Sequence, residues 1–318
     1  PADVAEVDDG ETLPTLADLS LPSPEADVPA AGSEVARSRL EAFCDGPIFR
    51  YADRRDYPAA DGTSRLSPHL SFGTIGIREV YDATKRALAT VDADGAVDAD
   101  GESVDPEMAR ASVEEFRRQL AWREFYVQVL ADRPDTVRAN YRRFENPIDW
   151  REDTCDFRTW TAGRTGYPLV DAGMRQLRQE AWMHNRVRMV AAAFLTKHLL
   201  LDWRWGYRWF REKLVDHDTA NDVGGWQWAA STGTDAQPYF RIFNPASQAA
   251  EYDPDAEYVK RYVPELADVD PSTVHDWPTL SPEERAGTAP AYPEPIVDHA
   301  AARERALATF REARGEES

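Results

Sequence analysis

Lysine is scarce in this chain: four residues (Lys85, Lys197, Lys213 and Lys260) against 37 lysines and arginines together. Cysteine is scarcer still. Cys44 and Cys155 stand alone, too few for a disulfide framework or a thiolate zinc site, and both read as bystander thiols. No apolar run approaches the roughly 20 residues that span a bilayer, and no basic, apolar leader opens the chain. The expectation is a protein with no membrane association, cytoplasmic and monomeric. A Gly-x-Gly-x-x-Gly after a strand is also missing, which excludes a dinucleotide-binding sheet domain from these residues. Neither strand-like alternation nor a repeat of fixed period is evident. The fold class expected is all-α, a multi-helix domain.

Against these absences stands a large acidic excess, a net charge of −20 over 318 residues. Such a charge ordinarily argues against a nucleic-acid partner, but it is unevenly spread. Residues 110–215 carry 20 basic and 14 acidic side chains, a net of +6, between two strongly acidic flanks. A positive middle can present a basic face. Few lysines and many carboxylates suggest adaptation to high salt, with an ordinary acidic protein as the plain alternative.

Residues 1–32 are rich in Pro, Ala, Asp and Glu and read as a linker. The chain opens at Pro1, and it is expected to be the C-terminal part of something longer. Residues 33–318 form the expected helical domain, interrupted by an acidic surface loop at 91–107. Apolar residues at three-and-four spacing predict helices over Met108–Leu130, Leu169–Glu180, Trp182–Leu201, Trp203–Val215 and Pro254–Tyr262. Thr74–Leu88 and Ala300–Arg314 are the remaining predicted helices.

Four stretches could carry chemistry. Thr63-Ser64-Arg65-Leu66-Ser67, with Gly62 before it, offers hydroxyls, an arginine and a helix start, which suit a diphosphate; a plain capped loop is the alternative. Trp122-Arg123-Glu124-Phe125-Tyr126 lies in a helix, where aromatic and arginine side chains otherwise serve as core and surface. The run from Trp182 through His184, Asn185, Arg186, Arg188 and Met189 loads one helix with polar groups that are costly to bury unpaired, and Asp216 or Asp218 could pair with Arg188. Asp216-His217-Asp218 first suggests a metal site, but no second His/Cys cluster accompanies it, so none is expected. Gly224-Gly225 ahead of Trp226 and Trp228 suggests close backbone approach to something flat. Nine of the ten tryptophans lie between Trp122 and Trp228. Aromatic faces interleaved with arginine can stack bases, although most of the nine could equally fill a core.

Taken in order, Thr63–Ser67, Trp122–Tyr126, Thr165-Gly166-Tyr167-Pro168, His184-Asn185-Arg186, Gly225-Trp226-Gln227-Trp228, Ser231–Asp235 and Pro238–Pro245 resemble the FAD-binding helical domain of the DNA photolyase/cryptochrome family. The likeness is greatest to class I cyclobutane pyrimidine dimer photolyases, and it runs from about Arg37 to Arg314. The resemblance implies light-driven repair of pyrimidine dimers in DNA by an electron from excited reduced FAD. It also implies an N-terminal α/β antenna domain that is not in this sequence.

Position by position, the resemblance implies that Tyr51 and Thr63, Ser64, Arg65, Leu66 and Ser67 hold the adenosine diphosphate part of FAD, with Phe116 and Arg123 flanking it. Arg188 with Asp216 would sit beside the isoalloxazine, with His217 and Asp218 completing that run. Trp226, Trp203 and Trp150 would pass electrons between surface and flavin, leaving Trp160, Trp182, Trp205 and Trp209 to packing. Trp122 and Trp228 would stack on the flipped dimer. Asn185, Arg186 and Met189 would touch it, with Arg55, Tyr126, Arg241 and Gln248 as further DNA contacts. Two positions depart from the family pattern. Gln119 stands where many members have a glutamate that bonds the dimer. Asp222 stands beside the flavin where photolyases have asparagine and plant cryptochromes aspartate, and a buried aspartate there is expected to have a raised pKa. The competing readings are a cryptochrome-type photosensor, which Asp222 favours, and an acidic helical interaction protein without cofactor. A (6-4) photolyase would need paired histidines that His184-Asn185-Arg186 lacks.

Overall fold

A computed structural model describes residues 14–15, 17–21, 23–93, 95–235 and 242–316. Fifteen α-helices build the described part. They run α1 Ser33–Cys44, α2 Tyr51–Arg54, α3 Ser67–Ser71, α4 Ile77–Ala93, α5 Pro106–Asp132, α6 Thr154–Thr161, α7 Pro168–Glu180 and α8 Asn185–Ala193. There follow α9 Trp203–Lys213, α10 Thr219–Ala229, α11 Pro245–Tyr252, α12 Glu257–Tyr262, α13 Pro271–Asp276, α14 Pro282–Thr288 and α15 His299–Ala313.

The longest helix, α5, explains how the domain is organised. Asp105 caps its start, accepting from the backbone N–H groups of Glu107 and Met108 at 3.0 and 3.2 Å, with Pro106 at the first helical position. Ala109, Val113, Phe116 and Leu120, spaced by four, three and four, bury one stripe. That stripe joins α1, α2 and α4 in a core that includes Leu40, Phe43, Tyr51, Leu66 and Val80. Beyond Leu120 the helix keeps its aromatics but stops burying them: Trp122 is 47% and Phe125 40% exposed. The larger core gathers α6–α13 around Trp160, Phe194, Trp203, Trp226, Tyr258 and Trp277. Leu200 and Phe310 form a third, small cluster under α15.

Three predicted elements differ from those observed. The stretch Trp182–Leu201 is not one helix: Ala181 takes the left-handed conformation (φ 51°), and the His184 imidazole caps α8 by accepting from Arg186 N–H at 3.2 Å. After Ala193 the backbone widens into a π-turn over Phe194–His198 and stops at Leu200, again at positive φ. Over 91–107 the expected loop is helical to Ala93 and then folds into a hairpin, Ala96–Val97 paired antiparallel with Ser103–Val104. Asp98 pins that hairpin by accepting from Asp100 and Glu102 N–H, each at 3.0 Å. The helix after the Thr63–Ser67 run is the short α3, and the long one begins only at Ile77.

Candidate active site

Helices α5, α8 and α10 enclose a cavity of about 1030 Å³. Of the sequence-singled residues, the structure brings Arg55, Gln119, Trp122, Arg123, Tyr126, Asn185, Arg188, Met189, Asp222, Trp226 and Trp228 to its wall. Helical spacing accounts for this convergence. Gln119, Trp122, Arg123 and Tyr126 recur at three-and-four steps on α5, as do Asn185, Arg188 and Met189 on α8 and Asp222, Gly225 and Trp226 on α10. Gly225 turns bare backbone to the cavity, and a Cβ there would meet nothing within 4 Å. The close approach expected of Gly224 is made to the protein's own Tyr126 ring, which a Cβ would overlap.

Two ion pairs frame the wall. Arg188 Nη2 meets Asp216 Oδ2 at 2.7 Å, and its Nε donates to Met183 C=O at 2.7 Å. Arg123 Nη2 meets Asp218 Oδ2 at 3.0 Å. Burial works against the charge on Asp218, but hydrogen bonds from Asn221 and the Arg123 guanidinium outweigh it and lower its pKa. Asp222 behaves in the opposite way. Burial raises its pKa despite a 2.5 Å hydrogen bond with His217 Nδ1 and the nearby Arg188 charge. Asp216 Oδ1 is buried and has no partner among the described residues. An orphaned acceptor beside an arginine, on the edge of an aromatic-lined cavity, fits the N–H-bearing rim of a flavin ring.

The Thr63–Ser67 run lies next to this wall rather than in it. Arg65 adopts positive φ (48°), and its guanidinium stacks 4.4 Å from the Trp182 ring centre while pairing with Glu180 at 3.5 Å. Trp182 Nε1 donates to Ser67 Oγ at 3.2 Å, and Ser71 Oγ donates to His217 C=O at 2.7 Å. These contacts fasten the hydroxyl-rich loop, with half-buried Thr63 and Ser64, against the Asp216–Asp218 turn. Leu66 is buried beneath it. Tyr51 and Phe116 sit edge to face at 5.2 Å inside the smaller core, and neither lines the cavity.

The tryptophans separate by burial. Trp226 (3% exposed) is at the cavity, and Trp203 (0%) is buried off its wall, its Nε1 donating to Asn140 Oδ1 at 3.0 Å. Trp150 is half-buried, 5.8 Å from Phe310. Gly206, on the Trp203 helix, leaves the room that the Trp226 ring fills. Trp160 packs 6.2 Å from Trp226, and Trp205 packs against Phe157.

A family model described as the FAD binding domain of DNA photolyase matches residues 116–312. This chain belongs to the DNA photolyase family. A deoxyribodipyrimidine photo-lyase of Halobacterium salinarum is 57% identical over 321 residues, covering 100% of this chain and 64% of that protein. A bacterial class III photolyase from Agrobacterium tumefaciens superposes with a TM-score of 0.79 at 42% identity, over 89% of this chain and 56% of that one. A Synechocystis cryptochrome also reaches 0.79, at 30% identity, over 94% and 60%. The chain therefore spans just under two thirds of the curated relative's length.

At the rim of the cavity, two of the residues expected to contact DNA are engaged within the protein. Arg55 pairs with Glu115, and Arg186 meets Asp56 at 2.9 Å while stacking 4.0 Å from the Tyr252 ring centre. Gln248 lies off the cavity on α11 with its Oε1 buried and unpartnered among the described residues. Arg241 falls outside the described residues. Sequence reasoning missed Glu115, Asp56 and Asn221, and it left Trp182 to packing. Only the i, i+4 spacing of Glu115 and Gln119 could have pointed to any of these.

Proposed function

We propose that this chain repairs cyclobutane pyrimidine dimers in DNA by light-driven electron transfer. The observation that carries the reading is one cavity whose wall holds Trp122, Trp228, Arg188 and Asp222, with Asp216 paired to that Arg188. Bound FAD, reduced and excited by light, would supply the electron that opens the cyclobutane ring. Thr63–Ser67, Tyr51 and Arg65 would hold its diphosphate and adenosine end, and Phe116 would back that end from the core. Arg188, Asp216, His217, Asp218 and Arg123 would hold the ring end. Asp222 would keep a proton next to it.

Trp122 and Trp228 would stack the flipped lesion, which leaves the duplex at less cost than sound bases. Gln119, Asn185 and Met189 would orient the lesion, and Arg55, Tyr126, Arg186, Arg241 and Gln248 would meet the DNA strand. Trp226, Trp203 and Trp150 form the route by which the cofactor is re-reduced. Damaged DNA is the partner, with the protein acting as a cytoplasmic monomer. Among the described residues no helix is long and apolar enough to cross a membrane. The lysine-poor, acidic composition and the Halobacterium relative support a high-salt setting.

A blue-light photosensor is the second reading, and the protonatable Asp222 favours it. Illuminating a dimer-containing oligonucleotide with the reduced protein at high salt separates the two. Loss of dimers supports repair, and intact dimers under saturating light support the sensor.

A further inference from the structure

Gln119 lines the cavity and is paired with a carboxylate one helical turn behind it. Its Nε2 donates to Glu115 Oε1 at 2.7 Å. The same oxygen accepts from Arg55 Nη1, while Glu115 Oε2 lies 3.2 Å from Arg118 Nη2. A side-chain amide presents a donor at one end and an acceptor at the other, and a flip exchanges them. A carboxylate only accepts. The group 2.7 Å from Glu115 must therefore be the NH2 of Gln119, because the flipped amide would press two oxygens together. Oε1 of Gln119 is then left without a partner among the described residues, on a side chain that lines the cavity.

We propose that Glu115 is a positioning residue that locks the Gln119 amide, so that the cavity is offered a carbonyl acceptor selective for a pyrimidine carrying an imide N–H. The inference rests on the dimer-repair reading. The negative charge sits at Glu115, where Arg55 and Arg118 neutralise it, while the neutral amide acceptor of Gln119 faces the cavity. A free glutamine would offer donor and acceptor equally and could not discriminate. With Glu115 in place, a base whose N3 carries a methyl group leaves the Gln119 acceptor unpaired and is disfavoured.

The test is dark binding of the FAD-loaded protein to three oligonucleotides: undamaged, with a thymine dimer, and with the same dimer N3-methylated. Wild type is expected to prefer the N3–H dimer over the methylated one by about tenfold. In Glu115→Leu and Glu115→Ala, which leave no acceptor for the Gln119 NH2, the preference should fall to about twofold, what remains being the bulk of the methyl group. Releasing Arg55 in these variants changes affinity for both dimers alike and cancels in the ratio. An equal ratio in wild type and both variants overturns the role of Glu115. No N3–H preference in wild type overturns the fixed acceptor while leaving dimer repair standing. A wild type that binds the dimer no better than undamaged DNA sinks both. Should either variant misfold, the Gln119 side-chain amide resonance of the DNA-free wild type decides: slow proton exchange is expected, and rapid exchange contradicts the lock.

Discussion

His217 Nδ1 and Asp222 Oδ2 stand 2.5 Å apart at the head of α10, and the backbone N–H of Asp218 reaches the same carboxylate oxygen at 3.3 Å. Asp222 is thus fixed at the cavity wall while burial holds its pKa above the usual carboxylate range. A titration of the bound flavin's absorption spectrum should show an inflection above that range in wild type. Asp222→Asn should abolish it. An inflection that survives the substitution would place the titrating group elsewhere.

The electron route predicts a separable loss. Trp203 is fully buried and donates to Asn140, so Trp203→Phe removes an oxidisable ring and keeps an aromatic in the core, at the cost of that hydrogen bond and some packing volume. Photoreduction of bound FAD should slow at least tenfold in that variant. Chemical reduction should restore dimer repair. Unchanged photoreduction, followed by flash absorption, would remove Trp203 from the route.

Stacking should be measurable without light. Trp122 is 47% exposed, so Trp122→Ala should leave the melting temperature close to wild type. A base–aromatic stack is worth about 1–3 kcal/mol, so dimer affinity should fall by about 5- to 150-fold. A loss below twofold in a dark binding titration would refute the stacking role.

Two buried histidines set an acid limit on stability. Burial lowers His184 to about 4 and His198 to about 3, against about 6.5 when exposed. The unfolded chain then binds protons that the folded chain refuses. The stability these histidines allow is complete above pH about 6.5 and is lost as pH falls through that value towards 4 and 3. Denaturant midpoints should decline over this window, and His184→Asn should flatten the decline. An unchanged pH profile in the variant would contradict the assignment.

The rim arginines carry their own counter-charges, Glu115 for Arg55 and Asp56 for Arg186. A phosphate that binds there exchanges one anion for another, so few ions are released. Binding to damaged DNA should therefore show a shallow salt slope, well short of the roughly −0.9 per phosphate expected from unpaired cations. A steep slope would show that those pairs do not persist in solution.

How much was readable before the structure depends on where the information sits along the chain. The three-and-four spacing of Ala109, Val113, Phe116 and Leu120 is local, and α5 follows it. The break before α8 is equally local, but it depends on a left-handed Ala181 and a histidine side-chain cap, neither of which disturbs apolar periodicity. Strands of two residues are too short to show alternation, so the 95–104 hairpin escaped notice. The Arg188–Asp216 pair was expected from resemblance and from complementary charge, whereas the Arg123–Asp218 pair joins two residues 95 apart that sequence had named only separately. The bond from Trp182 to Ser67, 115 residues away, joins the link between α7 and α8 to the start of α3 and leaves no mark in either segment.

The central claim is tested most directly by counting pyrimidine dimers in an oligonucleotide incubated with the FAD-loaded, reduced protein at high salt, under blue light and in the dark. Light-dependent loss of dimers over repeated turnovers, with none lost in the dark, is the predicted result. Dimers that remain at their starting level under saturating light would contradict it.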